Sequence, residues 1–401
     1  MPDSIQRTVY KFQVTLIAKH TKRQCNRLKY FKSTSYYNMK ILAQISRVIV
    51  GLLFVFSGLI KLNDPVGTQY KLEEYFEVFA TDLPAFHDLF IGLIPFALYF
   101  SVFLCVAEVV LGIALLVAYK PKTVSWLLLI IILFFTFLTF YSAYFNKVTD
   151  CGCFGAAIKL TPWTSFGKDL FLLALILIIV YYRKKFKPLP TGMVVMLATL
   201  GSLGVAFYAL RHLPPIDLLP YRVGASIPAQ MKPSEPIRYQ YIFEKNGETF
   251  KFEKYPSDTT LVFKDMIILN EDAAPKITDY RVWNDEGDFT EETFKGEKLF
   301  IILKNFHDIN TAALPGIQKL ISELKSSTVE PIILTSGSSD EIDRFLQSQQ
   351  LEAPYYYVDA TVLKTISRSN PGLWLLKDGV VRGKWHYNDS PSAGEVTKLV
   401  Q

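Results

Sequence analysis

Two cysteines flank a single glycine in the run Thr149-Asp150-Cys151-Gly152-Cys153-Phe154-Gly155. Thiols this close can close only a small ring. A disulfide needs its Cα atoms about 4.4–6.8 Å apart, a range that residues two apart can just meet. Gly152 supplies the backbone freedom such a ring needs. A bridge of this kind is strained, and strained, exposed disulfides exchange readily. Cys151 and Cys153 are therefore the candidate catalytic pair. As a staple they would close almost no loop and contribute little stability. Cu(I) is a third reading, because thiolates select it. No histidine or third cysteine stands nearby, which argues against a closed zinc site, and no metal is assigned.

The elements that must hold this pair are membrane spans. Half of the 401 residues are hydrophobic, and the apolar ones are concentrated in runs: 41–60, 92–119, 124–145, 169–182 and 191–210. A bilayer core takes about 20 apolar residues in helical form. Four runs meet that length and the fourth falls short. The cysteine loop lies between the third and fourth. Lys120 and Lys122 follow the second run, and Arg183, Lys184, Lys185 and Lys187 follow the fourth. The positive-inside rule places both basic loops in the cytoplasm. The cysteines and everything after residue 210 are then expected outside the cytoplasmic membrane, where disulfides persist. The loop 61–91, with Glu73, Glu74, Glu77, Asp82 and Asp88, falls on that outer side.

Ionisable residues inside spans are rare and mark function by default. Glu108 lies mid-span, and Arg47 is the candidate partner. Counted from the cytoplasmic ends, their depths differ by roughly 7 Å, which a long arginine can close. Cys105 reads as a buried small hydrophobe, and Trp163 as an interfacial anchor.

The first 38 residues form a basic segment without an apolar centre, so they do not read as a secretory signal. They are expected to be a disordered arm, or an extension ahead of a start at Met39. A basic helix lying on anionic lipid is the alternative. The formal charge of +6 owes much to this segment and is no sign of nucleic-acid binding.

After the spans (39–212), residues 213–275 read as a proline-rich linker followed by a hairpin around Asn246-Gly247. Residues 276–401 alternate strand and helix. Strands are expected at 298–303, 331–335, 355–358, 373–376 and 380–385. Helices are expected at 310–325, 339–350, 360–367 and 391–399. The order βαβα, then a β-hairpin, then a helix is a thioredoxin-type arrangement.

The first half resembles the DoxX/MauE group of small membrane proteins. The matching residues are Arg47, the run from Gly51 to Gly58, Lys61-Leu62, Asp64-Pro65, Glu108 with Gly112, and the cysteine loop. The loop joined to a thioredoxin-like domain resembles a group common in Bacteroidetes-type bacteria. The resemblance implies a membrane α-helical bundle of about five spans followed by a soluble α/β thioredoxin-like domain. The MauE branch is linked to maturation of the periplasmic, disulfide-rich subunit of methylamine dehydrogenase. It implies thiol–disulfide exchange or electron transfer through Cys151 and Cys153 with an extracytoplasmic thiol protein or client. The redox equivalents would pass to a quinone or a second protein; no other cofactor is implied. The lipid bilayer is the remaining partner.

Thioredoxins carry Cys-x-x-Cys after the first central strand. Here that place reads Lys304-Asn305-Phe306-His307-Asp308-Ile309-Asn310, without sulfur. Asn370-Pro371-Gly372 matches the cis-proline turn, and Asn370 and Pro371 are expected to face a bound peptide. A non-enzymatic scaffold, whose domain binds a protein partner, is therefore the alternative function. A small-molecule transporter ranks below both, since Arg47 and Glu108 alone make no clear polar pathway.

Overall fold

A computed structural model describes residues 39–148, 160–245 and 247–401. Cys151 and Cys153 fall outside the described residues, as does the arm before Met39. The chain divides into two compact units, Met1–Gly204 and Val205–Gln401.

The first unit is a helical bundle. Helix α1 covers Met39–Asn63, α2 Pro65–Asp82, α3 His87–Leu93, α4 Ala97–Leu116, α5 Pro121–Phe145, α6 Pro162–Tyr182 and α7 Gly192–Arg211. Among the described residues, five helical segments are long and apolar enough to cross a membrane: Met39–Asn63, Pro84–Leu116, Pro121–Phe145, Pro162–Lys185 and Gly192–Arg211. The protein is thus a multi-pass membrane protein.

Two sequence expectations are corrected here. The fourth span is full length. It starts at Pro162, capped by the Thr161 hydroxyl, which accepts from Thr164 N–H. The apolar run looked short because Lys168 and Asp169 interrupt it, yet Asp169 is buried. The stretch 61–91 is largely helical. Asp64 caps α2 by accepting from Gly67 N–H, and Pro65 opens the helix, where its missing N–H costs nothing.

Helices α1 and α4 touch through glycines. A Cβ at Gly58 would lie 2.9 Å from the backbone nitrogen of Val109, and one at Gly112 would lie 2.9 Å from the carbonyl of Gly51. Small residues of this kind let membrane helices approach backbone to backbone.

In the second unit, the short α8 (Ile227–Gln230) precedes a three-stranded sheet of β1 (Tyr239–Lys245), β2 (Glu248–Phe252) and β3 (Val262–Ile268), ordered β2-β1-β3. The expected hairpin forms, and Gly247 takes the φ of +82° that its turn requires. β3 is an addition. The expected linker is not free chain: Tyr221, Ala225 and Ile227 are buried in the core of the α/β domain. Gly224 N–H and Ile227 N–H donate to the carbonyls of Val381 and Gly379.

That domain comprises β4 (Val282–Asn284), β5 (Gly287–Asp288), β6 (Glu297–Leu303), α9 (Leu314–Leu324), β7 (Glu330–Thr335), α10 (Ser339–Gln349), β8 (Tyr355–Val358), α11 (Ala360–Ile366), β9 (Gly372–Lys377), β10 (Val380–His386) and α12 (Ala393–Val400). The sheet order is β10-β9-β6-β7-β8-β4-β5. β6, β7 and β8 run parallel, and β9 and β10 antiparallel. Central β6 is buried on both faces. Leu299, Ile301 and Leu303 meet α9, α10 and α12, while Phe300 and Ile302 meet α11 and the segment around Ile227. A parallel centre covered on both faces needs this continuous apolar run. The β6-α9-β7-α10 order, the closing β9-β10 hairpin and α12 make the domain thioredoxin-like.

Candidate functional site

Four helices of the bundle converge on one buried polar cluster. Ser57 and Lys61 stand one turn apart on α1, so both side chains share a face. Lys61 Nζ lies 2.5 Å from Glu108 Oε1 on α4. Ser57 donates to Glu108 Oε2 at 2.9 Å. The Lys61 ammonium also sits 4.4 Å from the ring centre of Phe135 on α5. Beside this, Lys168 Nζ lies 2.6 Å from Asp169 Oδ1 on α6, and Thr139 on α5 donates to Asp169 Oδ2 at 3.0 Å. Lys61, Glu108 and Asp169 are all buried. The two ion pairs line a common cavity of about 30 Å³ with Ser57, Phe135 and apolar neighbours. A space of that size and polarity has room for a water molecule or two.

Glu108 is thus paired, as an intramembrane carboxylate should be, but the partner is Lys61 and not Arg47. The glycine contacts explain why. Gly58 faces Val109 and the Cβ of Glu108, whereas Gly51 faces Leu116. Arg47 is fourteen residues from Lys61, roughly 21 Å along the helix. Depth counted from assumed span ends missed this offset, which only the packing of the two helices sets. The Arg47 guanidinium lies 5.5 Å from the ring centre of Phe186 instead. Lys168 and Asp169 were not singled out in the sequence. Their signal was there: a carboxylate near an apolar run needs a buried partner. Cys105 is a free, buried thiol near Thr68.

The stem of the cysteine loop on the α5 side is anchored. Asn146 caps α5 with φ +52°, Val148 is buried, and Ser142 donates to the Val148 carbonyl. Asp82, at the end of α2, takes Lys147 and the hydroxyl of Tyr141. Those two hydrogen bonds, Lys147 first, hold the Asp82 carboxyl below its ordinary range. α5 and α6, which flank the loop, also carry Thr139, Lys168 and Asp169. Lys168 lies six residues beyond Pro162, so the cluster is roughly 10 Å along the helix from the loop.

In the thioredoxin-like domain, the place of the missing motif is filled by Phe306. Its ring packs against that of Phe345, centroids 5.1 Å apart and tilted by 44°, and occupies the space a side chain at Gly337 would need. His307 is exposed. The Asn370-Pro371 bond is cis. Asn370 ties this turn to the replacement loop: its Oδ1 accepts from Lys304 N–H at 3.0 Å, its Nδ2 donates to the Asn305 carbonyl at 2.8 Å, and its own carbonyl accepts from Asn310 N–H at 3.0 Å. The polar groups of Asn370 are therefore engaged within the domain. Behind the turn, Ser369 Oγ donates to the Pro371 carbonyl and accepts from Tyr387 N–H. Next to it, His386 is buried.

Architecture and site define a multi-pass helical bundle with a charged interior, joined to a thioredoxin-like domain without cysteines. Residues 39–182 match the family described as Methylamine utilisation protein MauE. A search of curated proteins returns no match. Among solved structures, StoA from Bacillus subtilis is similar at 14% identity, covering 30% of this chain and 96% of that one, with a TM-score of 0.24. A putative thiol-disulfide oxidoreductase from Bacteroides vulgatus is 11% identical over 29% of this chain and 78% of its own, with a TM-score of 0.23. A secreted Mycobacterium tuberculosis disulfide oxidoreductase homologous to E. coli DsbE is 11% identical over 30% and 94%, with a TM-score of 0.24. Likeness at this level carries no activity across; the thioredoxin-like fold rests on the strand order above.

Proposed function

We propose that the protein is a membrane thiol–disulfide exchange or electron-transfer component that supports extracytoplasmic protein maturation through Cys151 and Cys153. The carrying observation is the buried Lys61–Glu108 and Lys168–Asp169 cluster, part of which lies on the two helices flanking the cysteine loop. The match of that whole region to the MauE family supports the same reading. In the exchange, a client thiolate attacks one sulfur of the Cys151–Cys153 disulfide and the other sulfur leaves as thiolate. The second client thiol then resolves the mixed disulfide. The client dithiol is oxidised and the loop pair is reduced, with two electrons and two protons transferred in net. Reoxidation passes the two electrons and two protons to a quinone, which becomes the quinol, or to the disulfide of a second protein, which becomes a dithiol. Two neighbouring ion pairs around a cavity with room for water are a suitable store for the accompanying protons, because proton movement within them need not leave an isolated charge in the bilayer.

The thioredoxin-like domain takes no part in sulfur chemistry. Residues 276–401 hold no cysteine, and Phe306 occupies the motif position. This favours one second reading, a scaffold whose domain binds a protein partner. The redox state of Cys151 and Cys153, trapped by alkylation in cells, separates the two. A pool that shifts between dithiol and disulfide with added reductant, and mixed disulfides captured by Cys153→Ser, support exchange. A pair that never changes state, together with full function in the Cys151→Ser/Cys153→Ser variant, leaves the scaffold.

A further inference from the structure

The end of α6 away from the cysteine loop holds a second cavity. It measures about 390 Å³ and is lined by Lys40, Ala43, Gln44, Arg47, Ala118, Tyr182, Lys185, Phe186, Lys187 and Leu189. Four of these are cations, and no carboxylate is among them. The walls come from the start of α1, the α4–α5 turn and the segment joining α6 to α7. That segment is held in place: Leu189 N–H donates to the Ala118 carbonyl, and Thr191 Oγ1 to the Val117 carbonyl. Arg47 stands out. Its Nε is buried and has no hydrogen-bond partner among the described residues, while Phe186 backs the guanidinium. A buried donor left unsatisfied is costly, and a fork of N–H donors fits an anionic oxygen pair. Arg183, with its guanidinium over Trp126, lies on the same segment.

We infer that this cavity binds the phosphate headgroup of an anionic phospholipid. Three features select that ligand. The cavity is at a span terminus, at headgroup depth. It gathers four cationic side chains in its lining, Lys40, Arg47, Lys185 and Lys187. Its volume suits a small headgroup, and the neighbouring α1 and α6 surfaces expose Ile41, Leu42, Ile45 and Tyr181, against which acyl chains can lie. Basic pockets between spans recognise headgroups in this manner. Arg47 supplies the directed donor, Lys185 and Lys187 supply the surrounding field, and Phe186 fixes the guanidinium plane.

Native mass spectrometry of the full chain, delipidated in detergent, tests this. The protein is offered phosphatidylglycerol and phosphatidylcholine with the same acyl chains in equal amounts. Phosphatidylglycerol should be retained in preference. That preference should fall roughly fivefold for each cation removed, in Arg47→Gln and in Lys187→Gln. Lys122→Gln, which removes a charge from a basic turn outside the cavity, should keep it. Lys187 is exposed, so its variant decides the matter if Arg47→Gln does not fold. Equal retention of the two lipids, or wild-type preference in Lys187→Gln, overturns the inference. So does displacement of phosphatidylglycerol by equimolar glycerol 3-phosphate, which would assign the cavity to a soluble phosphate compound.

Discussion

At the scale of single residues, the buried charges decide most. Removing one member of a buried ion pair leaves the other unpaired, at a typical cost of about 3–5 kcal/mol. Glu108→Gln and Lys61→Met should each lower abundance and melting temperature in detergent. The double variant should recover part of the loss. Arg47→Gln combined with Glu108→Gln should show additive losses, because the two side chains share no contact. A coupling energy above about 0.5 kcal/mol between positions 47 and 108 would contradict the observed pairing.

A second residue-scale expectation concerns acid. Burial is the main cause that lowers the His386 pKa from 6.5 to about 4, against the opposing pull of Asp389; His212, Lys304 and Arg211 add to the lowering. Its Nδ1 accepts from Asn388 N–H at 3.2 Å, which requires the unprotonated nitrogen. Between pH 6.5 and about 4, the unfolded chain therefore binds a proton that the folded one does not. Stability should fall as pH drops through this window, by up to about 1.4 kcal/mol per pH unit, and level off below it. Hydrogen exchange of the β9 and β10 amides in the full chain, corrected for intrinsic pH dependence, measures the slope. A His386→Asn variant should flatten it.

At the scale of elements, glycine positions set the register that places the site. Gly58→Val would drive a side chain into the backbone of α4, which cannot move aside as a flexible side chain would. A loss of at least about 1–3 kcal/mol is expected, read as a lower melting temperature. Gly201→Val, on α7 with open space around it, should cost far less. These contacts also show where the sequence was readable and where it was not. Apolar run length disclosed the spans, and a short continuous apolar run disclosed β6. Glu108 was legible as a functional position because charge in a span demands a partner. The identity of the partner was not, since it depends on how far one helix slides past another. The fourth span was truncated for a related reason: hydropathy counts Lys168 and Asp169 as separate charges, although they neutralise each other. The proline-rich stretch misled differently. Composition could not show that Tyr221 and Ile227 find a core to enter.

For the whole molecule, the decisive quantity is the parity of the spans. Five crossings put the start of α1 and the end of α7 on opposite sides of the bilayer. The turn before Pro121 and the segment 183–191 then share the side of the α1 start, and both are basic, which the positive-inside rule assigns to the cytoplasm. The cysteine loop and the thioredoxin-like domain are consequently expected on the other side, the compartment that allows a disulfide to form. If α6 did not cross, the domain would be cytoplasmic, while the cysteine loop, which follows three crossings, would stay on the outer side. The burial of Asp169 against Thr139 supports crossing, because its charge is met inside the bundle. Intact cells, reduced and then treated with an impermeant maleimide, should label Cys151 or Cys153. In a background lacking both, Ser348→Cys on exposed α10 should label equally well, and Lys122→Cys only after permeabilisation. Labelling of Lys122→Cys in intact cells would invert the orientation. Protection of Ser348→Cys alone would remove α6 or α7 from the bilayer and place the thioredoxin-like domain in the cytoplasm, across the membrane from the cysteine loop.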